Sequence, residues 1–474
     1  MAAPREFREH LEELKRKGLL LRITKPVSPD LELAELTRAA YRDGAPALLF
    51  EDVEGANARV ATNVYASEEK ILSSLEAASF EELEKRVASA VWPALTSWVS
   101  DRLILTAQIT WTASLAPRVV KDTSRGVNVL TEYDASLELI PQIINWPREP
   151  APNLYGGLLI AEAEEGAVME VCRFQVIDAK TASILVQPSS ALSYVLEKAL
   201  TRGEVVKASI AFSVAPPLQV TALLNLPPAV NKLTLAGVVA GKEIDVFKSE
   251  VTGLYLPASF EVLLEGHIDP ADKRPIGPLG CDTGFYTAQT MGPIFALKRM
   301  LVREDPIVYV SVPSPPPSDS SWLLKAACTV AKPLLGPLAR AIASLAVLDG
   351  GRVVAAAIKS WAKSAATRVG CLLVGSSLFP LAKLVVIVDE GVDVWEPRSL
   401  LLAIAQCADL RRDLLVIRRE TDEADASLEE GKPSHVAIID ATRKRATVAP
   451  LAEDEKRMTE LRTKWIELRD LLGL

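Results

Sequence analysis

A chain of mixed class, α/β at both ends and β in the middle, is what the sequence predicts, on three observations. Helical and strand periodicities alternate up to about residue 115, short β-type runs then follow one another to residue 312, and alternation returns after a proline- and serine-rich stretch. The 474 residues leave room for about three domains, placed here at 1–115, 116–312 and 322–474.

The elements justify that division in turn. Phe7, Leu11 and Leu14 recur at helical spacing, and Gly18 follows where a left-handed cap is favoured. A strand over 19–23, a helix over 31–41 and a strand over 47–50 come next, with two further helices between 67 and 101. In the middle, β-type runs at 157–163, 168–177, 182–187, 208–214, 233–239, 244–247, 260–264 and 307–312 predict a barrel or a sandwich. Val312-Pro-Ser-Pro-Pro-Pro-Ser-Asp-Ser-Ser321 reads as a stiff, solvated linker. Beyond it, strands at 352–358, 384–388, 414–417 and 436–439 alternate with helices at 360–369 and 397–408. Met458, Leu461, Trp465, Leu468 and Leu472 then form an a/d seam on a closing helix. Such a seam needs a partner surface, and a subunit contact is favoured over its own domain.

Composition excludes several classes of function. Lys plus Arg number 53 against 61 Asp plus Glu, a net charge of −8, so no general basic face for nucleic acid is expected. The charged opening, Met1 to Lys15, lacks the apolar region of a secretory leader. The uncharged run over 208–231 contains Pro216, Pro217, Pro227 and Pro228, which would break a membrane helix, so a soluble protein is expected. Five scattered cysteines (Cys172, Cys281, Cys328, Cys371 and Cys407) without a framework spacing fit a reducing cytoplasm. The histidines, His10, His267 and His435, lie far apart and none neighbours an acidic pair. Seven Asn and seven Gln are few for this length, a pattern of thermophile proteins.

No phosphate-binding loop, dinucleotide fingerprint, nucleophile elbow or zinc-protease helix occurs. Asp389, Glu390 and Asp393 cluster after a strand, where a solvated turn is favoured over a metal site. Arg173 is more informative. In Val171-Cys172-Arg173-Phe174-Gln175-Val176, alternation puts Arg173 and Gln175 on one face, Cys172 and Phe174 on the other. That polar face serves either a structural ion pair or a pocket for an anion. The segment from Arg274 to Tyr286 holds two prolines and three glycines, so it is a constrained turn displaying Cys281 and Asp282.

In this order the segments resemble the UbiD-type decarboxylases, which use prenylated flavin mononucleotide. The resemblance is carried by Phe7-Arg-Glu-His-Leu11, Ala47-Leu-Leu-Phe-Glu-Asp-Val-Glu-Gly55, Lys248-Ser-Glu-Val251 and Leu256-Pro-Ala-Ser-Phe-Glu-Val-Leu-Leu-Glu-Gly266. It continues in Val386-Ile-Val-Asp-Glu-Gly-Val-Asp-Val394, Ile439-Asp-Ala-Thr-Arg443 and Lys383 before its strand. It implies an N-terminal α/β domain, a central split β-barrel like that of flavin reductases, and a C-terminal α/β domain with an oligomerisation helix. It also implies an Arg that steers the substrate carboxylate, two acidic residues flanking the turn, and a divalent metal tying the flavin phosphate to Asn, His and Glu.

Arg173 matches that Arg. The turn reads Ile276-Gly-Pro-Leu-Gly-Cys281, where the family pattern carries a carboxylate at each end; Asp282 lies one residue further on. The metal's Asn, His and Glu fall on Val168, Ala191 and Lys232. Val and Ala cannot coordinate and an ammonium repels a divalent ion, so no metal is expected.

The resemblance thus makes Arg173, Asp282 and Cys281 the catalytic candidates. Arg173, Gln175, Ser189, Ser190 and Lys232 are the candidates for cofactor binding, with Lys232 able to meet a phosphate directly. The leading reading is a non-catalytic subunit, in a homo- or hetero-oligomer, that pairs with an active UbiD-type chain. Two others stay open: an active carboxy-lyase using Arg173 and Asp282, for example on a phosphorylated anhydromevalonate, and a small-anion-binding protein.

Overall fold

The computed structural model describes residues 6–96, 115–121, 127–130, 134–188, 190–228, 230–359, 365–419, 425–427, 433–444 and part of 461–471. Near the N-terminus the helix Phe7–Arg16 buries Phe7, His10, Leu11 and Leu14, and Gly18 follows it at φ +72°. Strands Leu20–Ile23, Ala47–Phe50 and Arg59–Thr62 build a sheet whose fourth member, Ile307–Tyr309, arrives from far along the chain. Helices Glu32–Arg42, Glu68–Ser74 and Phe80–Thr96 complete this region.

The middle region is a closed barrel. Six strands run in the order Val262–Ile276, Val206–Phe212, Asn153–Ala163, Gly166–Val176, Thr181–Leu185 and Thr290–Arg303, and the first and last also pair. Val127–Leu130 pairs antiparallel with Met300–Arg303 at the end of the last of these strands. Closure leaves the six strands without a free edge. The alternation inferred for Cys172 and Phe174 holds: both enter a core with Leu159, Ile210, Phe212, Leu264 and Phe295.

Residues 233–239, expected as a strand, are helical. The helix Lys232–Ala240 is capped by the Asn231 side chain, which accepts from the Leu233 and Thr234 N–H groups at 3.0 and 3.1 Å, and Gly241 follows at φ +71°. A fully apolar run cannot be told from a strand by period when the helix is buried on most sides. Asn231→Ala is expected to cost about 1 kcal/mol, read by chemical denaturation. The uncharged run before it folds as the end of a strand and the helix Pro216–Ala222, with proline tolerated in its first turn. Among the described residues no helix is long and apolar enough to cross a membrane.

The expected solvated linker is half built into the structure. Pro315, Pro316 and Pro317 are exposed, but Ser314 and Ser318 are buried. The Ser318 hydroxyl starts a capping box for the helix Asp319–Leu334, which the sequence reading did not contain. That helix packs on Phe80–Thr96. On it, the Lys325 ammonium sits 4.6–4.8 Å from the rings of Phe80, Trp322 and Trp395, joining the N-terminal helices to the C-terminal region.

There, five strands run in the order Ile342–Leu348, Val353–Ile358, Leu384–Asp389, Ser434–Asp440 and Leu414–Arg419, the central pairs parallel. Helices Ala365–Gly375 and Pro397–Cys407 accompany them. The edge strand leaves Leu414, Leu415 and Val416 exposed, and the neighbouring helix exposes Leu401 and Leu402. Of the closing seam, Leu461 and Trp465 are exposed in this chain, while Met458, Leu468 and Leu472 lie outside the described residues.

Candidate functional site

Period-two alternation along Gly166–Val176 turns Arg173 and Gln175 away from the barrel core, and both grip the glycine-rich turn. The Gln175 side-chain oxygen accepts from Gly277 N at 3.1 Å. Arg173 donates to Gly280 O at 2.6 Å, to the Asn153 side chain at 3.3 Å and to Glu149 at 3.2 Å. Its side chain is 8% exposed and that of Glu149 is fully buried, so the ion pair is shielded from solvent. Glu149 ties the loop and the turn together: it accepts from Gly280 N at 3.0 Å, and from Asn145 N, Trp146 N and the Asn153 amide. Gly280 lies so close to Trp146 that an added Cβ would stand 2.1 Å from the indole Cδ1, which explains the glycine. Glu149 was missed by sequence reading; its only local signal is a short loop framed by Pro147 and Pro150.

A cleft of about 260 Å³ opens between the barrel and the C-terminal region, and Arg173, Cys281, Asp282 and Ser190 all line it. Gly350 and Arg352 supply part of the opposite wall. The Arg173 Nη1 lies 3.8 Å from the Cys281 Sγ, which also approaches Leu279 O at 3.6 Å. Asp282 accepts from Ser314 N at 3.0 Å. Burial pushes its carboxyl above the ordinary aspartate range, against the hydrogen bonds from Ser314 and Ser320 and the Arg173 charge. The turn therefore holds a thiol and a carboxyl raised by burial beside a guanidinium already bonded to protein groups.

The positions where the resemblance places the metal ligands are built differently. Val168 packs into the barrel core. Ala191 begins the helix Ala191–Arg202, whose first N–H groups are all taken by side chains. Ala191 N donates to the Asn225 side chain at 3.2 Å, Leu192 N to Glu170 at 2.9 Å, and Ser193 N to the Ser190 hydroxyl at 3.1 Å. Neither Glu170 nor Asn225 was singled out from the sequence, because a cap drawn from another strand leaves no local pattern. Ser189 lies outside the described residues.

Lys232 is buried, and its ammonium donates to Met169 O at 2.6 Å and Ala222 O at 3.5 Å rather than lining the cleft. Burial lowers it to about 8, opposed by attraction to Glu170. These residues do not fit a flavin phosphate held through a divalent ion. Two of the three positions have no donor atom, the third is a cation, and the first N–H groups of the helix Ala191–Arg202 are already bonded to side chains. Among the described residues, no group of three His, Cys, Asp or Glu could hold a metal ion. Asp393 accepts from Trp395 N at 2.9 Å within the turn, and Asp389 accepts from Arg443 N at 2.7 Å from the segment after the strand Ser434–Asp440.

With this geometry in place, comparison with known proteins locates the chain. It matches the models of the 3-octaprenyl-4-hydroxybenzoate carboxy-lyase N-terminal domain over residues 11–89, Rift-related domain over 118–316 and C-terminal domain over 333–441. An uncharacterized protein of Aquifex aeolicus is 27% identical over 450 residues, covering 93% of this chain and 92% of its own. Another, of Archaeoglobus fulgidus, is 28% identical over 448 residues, with the same coverage. The closed form of the vanillic acid decarboxylase of Sedimentibacter hydroxybenzoicus superposes with a TM-score of 0.86 at 22% identity, covering 98% of this chain and 99% of that one. The UbiD-class enzyme HmfF of Pelotomaculum thermopropionicum, in complex with FMN, gives 0.76 at 21%, covering 95% and 97%. Three domain models in the expected order, over a barrel and two α/β regions of the same architecture, lead to one conclusion: the chain belongs to the UbiD family.

Proposed function

We propose that this chain is a non-catalytic UbiD-fold subunit that partners an active member of the family. The observation that carries the reading is Lys232: where a metal-binding carboxylate is expected, an ammonium is clamped between two backbone carbonyls. Val168 and Ala191 add no ligand, so a metal-bridged flavin phosphate has nothing to hold it. Support for a partner comes from the apolar edge strand and helix of the C-terminal region and from the exposed Leu461 and Trp465. The test is the absorption spectrum and intact mass of the protein isolated with its native partners. The expected result is a second UbiD-family chain that carries the flavin, and none on this one. Decarboxylation of an unsaturated acid by this chain alone, loaded with prenylated flavin and metal, would overturn the reading.

One observation favours a second reading, that of an active carboxy-lyase: Asp282 shares the cleft with Arg173, and burial raises its carboxyl above the ordinary aspartate range. In that case Arg173 would hold the substrate carboxylate and Asp282 would return a proton to carbon. The same loaded-protein assay decides between the two.

A further inference from the structure

We propose that Glu170 is a built-in anion: its carboxylate fills the N-terminus of the helix Ala191–Arg202 and thereby excludes phosphate-bearing ligands from the cleft. The inference rests on the non-catalytic reading and gives it a physical cause. A helix N-terminus attracts anions through its free N–H groups and the positive end of its dipole. Here those groups are spent. Glu170 reaches across from the barrel strand Gly166–Val176 to accept from Leu192 N at 2.9 Å, while Asn225 and Ser190 take Ala191 N and Ser193 N. The carboxylate lines the cleft, so a phosphate arriving at this helix end meets negative charge in place of the Ala191, Leu192 and Ser193 N–H groups.

The neighbouring cation does not offset this. Lys232 is attracted to Glu170 and donates to Met169 O and Ala222 O, which leaves it directed at the protein rather than the cleft. Glu170 thus does the work of a bound anion twice over: it caps the helix and balances the buried ammonium. A ligand carrying a phosphate would have to displace a group that is covalently part of the chain, at an effective concentration no free anion reaches.

The test uses FMN and riboflavin as probes, which differ by the phosphate, in flavin-fluorescence titrations of the full chain. Wild type is expected to bind FMN no more tightly than riboflavin. Glu170→Ala is expected to prefer FMN over riboflavin by tenfold or more. Glu170→Gln keeps an oxygen for Leu192 N while removing the charge, and is expected to show a smaller preference of the same sign. If Glu170→Ala fails to fold, Glu170→Gln decides alone. A wild-type chain that already prefers FMN tenfold overturns the inference, as does a folded variant with no gain. Decarboxylation by loaded wild type would instead overturn the non-catalytic reading, so the two failures are separately visible.

Discussion

Glu149→Ala is expected to destabilise the chain by about 3–5 kcal/mol, because it leaves the Arg173 guanidinium buried without its counter-charge. The loss extends beyond the ion pair, since Gly280 N, Asn145 N and Trp146 N also lose their acceptor. Arg173→Ala removes the other partner and should cost a similar amount, leaving a carboxylate buried and unpaired. Arg173→Lys is not a conservative rescue: a single ammonium cannot reproduce the fork that meets Glu149, Asn153 and Gly280 together. The double replacement Glu149→Gln with Arg173→Met removes both charges and should recover part of the loss. Urea denaturation of these variants, with the single Glu149→Gln and Arg173→Met that close the cycle, measures this coupling. Losses below 1 kcal/mol for either truncation would show that the pair does not hold the turn.

The second large effect is hidden in the wild type. His10 is buried, its Nε2 3.2 Å from Val64 O and its ring stacked on Tyr65 with centroids 5.4 Å apart. Burial lowers it from 6.5 to about 4. Asp319 is buried against the backbone of the same Tyr65, accepting from Tyr65 N at 2.7 Å and from the Tyr41 hydroxyl at 3.3 Å, and burial raises it from 3.8 to about 6.

The two groups act in opposite directions. Between about pH 4 and 6.5 the unfolded chain holds a proton on His10 that the native state lacks, so stability falls as pH is lowered. Between about pH 4 and 6 the native state holds a proton on Asp319 that the unfolded chain has lost, so stability falls as pH is raised. Each effect is worth roughly 3 kcal/mol, and together they nearly cancel. Lys70, which attracts Asp319, is lowered to about 8 and titrates outside this window. Asp319→Asn should therefore expose a loss of roughly 3 kcal/mol between pH 6.5 and 4 beyond that of wild type, and His10→Gln the opposite slope. Denaturation free energies across this range decide it; parallel profiles for both variants and wild type would refute the compensation.

Much of the architecture was legible because it rests on local rules. The alternation around Arg173 sorted core from polar face, and the helical spacing of Phe7, Leu11 and Leu14 marked a buried stripe. The run over 233–239 failed because an entirely apolar segment has no period to read, and only the Asn231 cap and Gly241 distinguish it. The helix Asp319–Leu334 was lost inside a stretch read as linker, although Ser318 starts it with a capping box.

The candidate site divides in the same way. The residue types alone give the set of chemical groups: an Arg on a strand, a turn without the carboxylates that the resemblance implies, and Val168, Ala191 and Lys232 where it implies ligands. Those are statements about atoms, and no packing can turn a valine into a ligand. Where the remaining charges are spent depends on the folded chain. Arg173 is bound to Glu149, Lys232 is held by two carbonyls, and Glu170 caps a helix that begins 21 residues after it. Each of these pairings joins side chains to groups on other segments that meet only in the folded chain, and a charge is free for a ligand only when no such partner has claimed it.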